Sequence, residues 1–306
     1  MTRPPVQGVG DVRRAVSWMA VALVAFSVIA IAGREAMRSI GALELLFWRA
    51  GVGLAVLAGI HVAMRGTTAS LASGQPALQA GRAVIHFGAQ YSWLAALMLI
   101  PLVEVFALEF TAPLWVAILA PFLLGERLTA LRAVAAVLGF AGALVVVWPD
   151  GSGPSPAAGF SLNAGSLLAL ASALGFAMNV MAVRRLVRTD RPFVLLVWMH
   201  ALQLPLAAAL AIGGPGLALS DARTFGWAAL CGVAGLAAHY ALSRASKLAD
   251  AIVVAPMDFL RVPLIALVGV ALYDEPLRAM VLAGVAFILA GNGLNVWSER
   301  RAARRR

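Results

Sequence analysis

The chain has 306 residues, of which 62% are apolar and only 12% charged, and its mean hydropathy is +0.89. Soluble domains carry charge on about a quarter of their residues, so this composition excludes a soluble globular protein and indicates an integral membrane one. A net charge of +10 would suggest nucleic acid as the partner of a soluble chain. Here its distribution gives it a different meaning, and no nucleic-acid partner is expected.

Ten apolar runs of about 20 residues follow one another, each long enough to cross a hydrocarbon core. They fall near 15–37, 42–63, 79–99, 103–124, 130–148, 161–183, 192–213, 223–243, 251–272 and 279–298. Runs of this length must be helices, because strands of a barrel would be shorter and would alternate. Span 1 has the basic flank of a signal sequence in Arg13 and Arg14. A second span follows at once with no small-residue cleavage site between, so it reads as an uncleaved first helix. Span 2 carries Arg49, and the stretch Gly66 to Gln75 links it flexibly to span 3, which holds His86, Gln90, Tyr91 and Trp93. Pro101 precedes span 4, which contains Glu109. Span 5 carries Ala135, Gly139 and Gly142, small residues that let helices approach closely in lipid. The longest polar stretch, Pro149 to Ser161, joins the two halves. His200 and Gln203 lie in span 7, Cys231, His239 and Tyr240 in span 8, Asp258 and Arg261 in span 9, and Gly284 and Gly291 in span 10. Cys231 is the only cysteine, which excludes an intrachain disulfide and any Cys-rich metal site.

With the N-terminus in the cytoplasm, eighteen of the 24 Lys and Arg residues fall inside, among them Arg65, Arg82, Arg184, Arg185, Arg188, Arg191 and Arg244. Only Arg34, Arg38, Arg223 and Arg278 fall outside. Short cytoplasmic loops prefer basic residues, so the surplus predicts a multi-pass protein of the bacterial inner membrane with both termini cytoplasmic.

The second half of the chain repeats the first. At an offset of about 150 residues Phe26 falls on Phe176, Arg34 on Arg184 and Trp48 on Trp198. One residue less brings Gln90-Tyr91 onto His239-Tyr240, Glu109-Phe110 onto Asp258-Phe259, Glu126 onto Glu275 and Gly142 onto Gly291. Five spans separate each residue from its counterpart, so the halves must cross the membrane in opposite senses. The expected fold is an all-α membrane protein of ten transmembrane helices in two inverted five-helix repeats, residues 15–148 and 161–298. Inverted repeats typify secondary transporters, with the substrate at the interface of the halves.

Four charges lie well inside predicted spans: Arg49, Glu109, Asp258 and Arg261. Isolated in lipid they would cost roughly 10–14 kcal/mol together, so each must face a partner, water or a cavity. Glu109 and Asp258 occupy equivalent repeat positions and are the leading site candidates. Arg261 lies three residues after Asp258, on the same helical face, where an ion pair can form; Arg49 lies at a depth to do the same for Glu109. Two readings stand together: charges that neutralise one another, and charges that contact substrate or a proton. Tyr91, Trp93, Gln90, His239 and Tyr240 supply the aromatic and polar groups a ligand site needs; His86, His200 and Gln203 are weaker candidates. Asp250, Glu126 and Glu275 lie where carboxylates cap helix starts.

These residues also carry a family resemblance. Pro113-Leu114-Trp115 through Leu124-Gly125-Glu126-Arg127-Leu128, the counterpart from Pro263 to Asp274-Glu275-Pro276-Leu277, and Phe47-Trp48-Arg49 resemble the EamA-type drug/metabolite transporter superfamily. Ala249-Asp250-Ala251 through Asp258-Phe259-Leu260-Arg261-Val262-Pro263 resembles a bacterial subgroup of it. The resemblance implies a ten-helix transporter whose central cavity is lined by helices 1, 3 and 4 of one half and 6, 8 and 9 of the other. Its members move amino acids, flavins, S-adenosylmethionine, nucleotide sugars or drugs.

The expected activity is secondary transport of a small polar or zwitterionic metabolite by alternating access. The alternative is import of a larger cofactor-like metabolite such as S-adenosylmethionine or riboflavin; a passive channel is less favoured. No zinc-binding helix spacing, nucleophile elbow or phosphate-cradling loop points to an enzyme. No cofactor or metal is expected, protons are the candidate coupling ion, and monomer and homodimer both stay open.

Overall fold

Helices are the one way for runs this apolar to satisfy their backbone in lipid, and the computed structural model forms them throughout residues 9–65, 71–124, 130–148, 163–213, 216–217, 221–248 and 257–303, which it describes. In chain order they are α1 (Val9–Ala36), α2 (Ala42–Ala63), α3 (Pro76–Leu99), α4 (Leu102–Glu109), α5 (Ala112–Leu124), α6 (Ala130–Val146), α7 (Ala164–Leu186), α8 (Pro192–Ile212), α9 (Ala222–Leu248), α10 (Arg261–Tyr273) and α11 (Ala279–Ala303). Seven segments among the described residues are long and apolar enough to cross a membrane, α4 and α5 counting together as one. Ala133–Val146 and Arg261–Tyr273 are shorter apolar helices. The chain is therefore an all-helical, multi-pass membrane protein among its described residues.

Span 4, expected as one helix, is two. The chain turns at Phe110 and Thr111 between α4 and α5, and it turns again at Phe259 and Leu260, between a helical Met257-Asp258 and the start of α10. Proline explains both interruptions. Pro113 has no N–H to offer the Glu109 carbonyl four residues back, and Pro263 has none for that of Phe259. The side chains repair the first break: Asn292 Nδ2 donates to the Phe110 carbonyl at 2.7 Å and Thr111 Oγ1 to that of Leu108 at 2.7 Å.

Helices pack in antiparallel pairs: α1 with α9, α2 with α8, α3 with α7, α4 with α10 and α6 with α11. In the α6–α11 pair backbone meets backbone. A Cβ on Gly142 would meet the Gly284 carbonyl at 2.6 Å, and one on Gly291 would meet the Ala135 carbonyl at 2.7 Å. The small residues of spans 5 and 10 thus bring these two helices together, as close approach in lipid requires. The main core gathers where α3, α4 and α7 meet the crossing of α1 and α9, around Trp93, Phe106 and Cys231.

Polar contacts gather on two opposite faces. On face A, Arg34 pairs with Glu275, Arg278 with Glu104, and Tyr273 donates to Glu35 at 3.1 Å. Glu275 also accepts from the Leu102 N–H at 2.8 Å, so it caps α4 rather than the helix that follows it in sequence. Asp250 and Glu126 lie outside the described residues. On face B, Asp190 accepts from Ser73 Oγ, from the Gly74 N–H at 2.9 Å and from Gln79 Nε2 at 2.8 Å. Arg82, expected at the cytoplasmic end of span 3, is buried in α3. Its guanidinium donates to Gln79 Oε1, Asn179 Oδ1 and the Leu195 carbonyl at 2.9, 3.0 and 3.2 Å. Helix α1 starts at face B and α7 at face A, and α11, antiparallel to α6, ends at face B.

Candidate functional site

The two interruptions put their charged neighbours face to face. Glu109 is the last residue of α4 and Arg261 the first of α10, and because those helices run antiparallel the broken ends meet near mid-bundle. Arg261 Nη1 donates to Glu109 Oε1 at 3.1 Å, while Nη2 donates to both carboxylate oxygens of Asp258 at 2.8 and 2.7 Å. Trp93 Nε1 holds the other Glu109 oxygen at 2.8 Å. Aromatic rings close the guanidinium in from both sides: Phe26, with its centroid 4.0 Å away, and Phe110 at 5.1 Å. Arg261 is 7% exposed against 18% and 23% for its two carboxylates. The acids therefore retain some access to a cavity where the arginine has almost none. The Arg261 Nε has no partner.

That cavity is enclosed by helices of both halves. Four rings, Phe26, Trp93, Phe106 and Phe176, form its apolar wall, with Ile29 beside them. Its polar groups are Arg49, His86, Gln90, Asn179 and His239 together with Glu109 and Arg261. Arg49 does not pair with Glu109. It lines the cavity on the side of α9, and its backbone is pressed by Gly232, where a Cβ would come within 3.0 Å of the Arg49 carbonyl. Matching depth along two helices says nothing about which way round each helix a side chain points, and here α2 turns Arg49 toward α9. Gln203 Nε2 donates to the Ala83 carbonyl and to His86 Nδ1 at 3.1 and 3.2 Å. The other ring nitrogen, Nε2, lies 3.4 Å from Gln90 Nε2, and since a neutral imidazole accepts at one nitrogen only, His86 takes a hydrogen bond from one of the two amides and not from both.

Of the residues singled out from sequence, Glu109, Arg261, Trp93, Gln90, His239, Arg49 and His86 share this cavity. Asp258 lines a second one on the far side of Arg261. Tyr91 and Tyr240 are 40% and 55% exposed on the outer surface and line neither. The reason is helical phase. Gln90 and His239 face inward, and the next residue on a helix points about 100° away. His200 bonds its own helix at the Leu196 carbonyl, 2.9 Å away. Sequence reasoning missed Phe26, Phe106, Phe176 and Asn179 in the first cavity, and Asn292 and Asn295 in the second. One signal was available: Gln79, Arg82, His86, Gln90 and Trp93 recur every three or four residues and mark a single inward stripe of α3. Among the described residues no group of three His, Cys, Asp or Glu is placed to hold a metal ion.

The arrangement offers an aromatic slot, a cation with no carboxylate beside it among the described residues, and a carboxylate–arginine–carboxylate triad at the junction of two interrupted helices. Among the described residues it assembles no nucleophile. The chain matches the sequence profile of the EamA-like transporter family over residues 13–148 and again over 163–297. A riboflavin transporter of Rhizobium johnstonii is 27% identical over 292 residues, covering 94% of this chain and 92% of that one. A riboflavin transporter of Brucella anthropi is 26% identical, covering 81% and 85%. An S-adenosylmethionine uptake transporter of Rickettsia felis is 24% identical, covering 78% and 77%. A solved crystal structure with 22% identity superposes at a TM-score of 0.64, covering 94% of this chain and 98% of that one; at that identity the likeness shows the fold alone.

Proposed function

This chain belongs to the EamA-like transporter family, is a transporter and not an enzyme, and on that premise we propose that it carries a flat, cofactor-like heteroaromatic metabolite across the bacterial inner membrane by alternating access. The observation that carries the reading is the cluster of four rings, Phe26, Trp93, Phe106 and Phe176, that lines the same cavity as Arg49. A planar ring stacks there, and a guanidinium gives a ring carbonyl two aligned donors. The amino-acid-like zwitterion fits less well, because Glu109 and Asp258 are already held by Arg261. Relatives that carry riboflavin and S-adenosylmethionine favour the larger substrate.

The halves at 15–148 and 161–298 act as inverted units rocking about the cavity. Support comes from the packing: the repeat offset turns the α1–α9 pair into α7–α3, and it maps α2–α8, α4–α10 and α6–α11 onto themselves. Face B is the cytoplasmic side, since it carries Arg65, Arg184, Arg185, Arg188, Arg191 and Arg244, as short cytoplasmic loops do. Glu109 and Asp258 are the groups through which a proton would couple to transport.

Uptake of radiolabelled riboflavin into proteoliposomes tests this. Saturation and counterflow are expected, with strong reduction in Glu109→Gln and Asp258→Asn at unchanged protein content. Exchange of amino acids with neither riboflavin nor S-adenosylmethionine would overturn the substrate class. Uptake that never saturates would overturn alternating access.

A further inference from the structure

Beyond Arg261 lies a second cavity, bordered by Phe110, Arg184, Asp258, Phe259, Asn292 and Asn295. It meets the central cavity at Val180, which lines both. Two groups in it are chemically incomplete. Asn292 is 1% exposed and Asn295 5%, and each has a buried Oδ1 with no hydrogen-bond partner among the described residues. For Asn292 the orientation is fixed, because its Nδ2 is committed to the Phe110 carbonyl at 2.7 Å and only the acceptor is left for the cavity. Asn295 lies three residues on, over the same face of α11. Buried acceptors left without donors are costly, and two together on one wall mark a place where donors arrive.

The charges narrow what brings them. Asp258 has both oxygens on Arg261, Arg261 is shared with Glu109, and Arg184 stands exposed at the rim. A cation would meet the Arg184 guanidinium and find Asp258 already neutralised by Arg261, and an anion would face the Oδ1 atoms. What fits is a neutral group with several adjacent donors.

We propose that this cavity is a specificity subsite for a neutral polyhydroxylated tail, occupied while the ring of the same molecule lies in the aromatic slot. The inference rests on the ring-binding reading of the central cavity. It adds that Asn292 and Asn295 tell a ring bearing a hydroxyl-rich chain from the bare ring. The triad between the cavities then lies alongside the link between ring and tail.

The test compares riboflavin with lumiflavin, which has the same ring and no ribityl chain, by flavin fluorescence titration of purified full-length protein. Riboflavin should bind the native protein about tenfold more tightly, the worth of one or two neutral hydrogen bonds. Asn295→Leu removes an acceptor that holds nothing else in the fold. It should weaken riboflavin about fivefold and leave lumiflavin unchanged, while Asn295→Gln restores part of the difference. Lumiflavin binding doubles as the control for folding. Equal binding of the two flavins to the native protein, or equal weakening of both by Asn295→Leu, overturns the tail subsite and leaves the ring site standing. Failure of both flavins to bind overturns the ring reading and this one with it.

Discussion

Replacing Arg261 by methionine keeps most of the volume and removes the cation that holds both acids. The native geometry sets the expected cost. The guanidinium is 7% exposed, its partners 18% and 23%, and three charge-assisted hydrogen bonds of 2.7 to 3.1 Å connect them. Breaking a buried pair by removing one member costs about 3–5 kcal/mol, because the remaining charge is left without compensation. An unfolding entropy of ~2 cal/mol/K per residue turns that into a fall in Tm of roughly 5–8 °C for a chain of this length. The same principle says that replacing the whole cluster by neutral groups of similar shape recovers the loss. Arg261→Met combined with Glu109→Gln and Asp258→Asn should therefore return to within about 2 °C of the native Tm and still fail to transport. Thermal unfolding of the purified protein in detergent measures both. A native-like Tm in the single variant would refute the claim that the triad is desolvated and closed. A triple variant no more stable than the single one would refute the claim that uncompensated charge is the cause.

Three further outcomes follow from the same coordinates. Gly142→Ala should destabilise by about 1–3 kcal/mol through overpacking, since the new Cβ has the Gly284 carbonyl at 2.6 Å and the Ile288 nitrogen at 2.8 Å in its way; unfolding midpoints of alanine and leucine variants, with leucine worse, check it. Trp93→Phe keeps the ring against Phe106 and deletes the donor to Glu109. A loss of about 1.5–3 kcal/mol is expected for a hydrogen bond to a charged group, and a Tm equal to the native value would count against it. Asp190 sits outside the spans. Burial pushes its carboxyl up, but the donors from Ser73, Gly74 and Gln79 outweigh that and hold it below the ordinary 3.8. A depressed folded pKa contributes stability that is fully present above the unfolded value and is lost as pH falls through the folded one. Tm should therefore drop on acidification below about pH 4, and Asp190→Asn should flatten that limb of the profile.

What could be read from the chain was what depends on length and local spacing. Ala42–Ala63 and Pro192–Ile212 lie where their apolar runs place them, because a run of about 20 apolar residues has little choice in lipid. The Asp258–Arg261 pair followed from three-residue spacing alone. What escaped depends on rotation about each helix axis relative to neighbours. That is why Arg49, at the depth of Glu109, meets no carboxylate among the described residues, and why Tyr91 and Tyr240 lie on the outer surface. The break at Phe110 was visible as Pro113. Proline alone does not fix a break, because it is tolerated in membrane helices when neighbours repair the gap, and the repairing residue, Asn292, lies far away in sequence. Asn292 and Asn295 gave no warning of their own, since neutral amides in a span draw less notice than charges.

The two faces of the bundle are fastened by unlike chemistry. Face A is tied across the halves by oppositely charged partners, Arg34 to Glu275 and Arg278 to Glu104, whereas the Asp190 knot on face B joins one carboxylate to uncharged donors. Ions in solution screen attraction between opposite charges and leave short neutral hydrogen bonds nearly untouched. Raised salt should therefore loosen the first fastening and spare the second. The salt content of the solution at face A thus becomes a handle on that fastening alone.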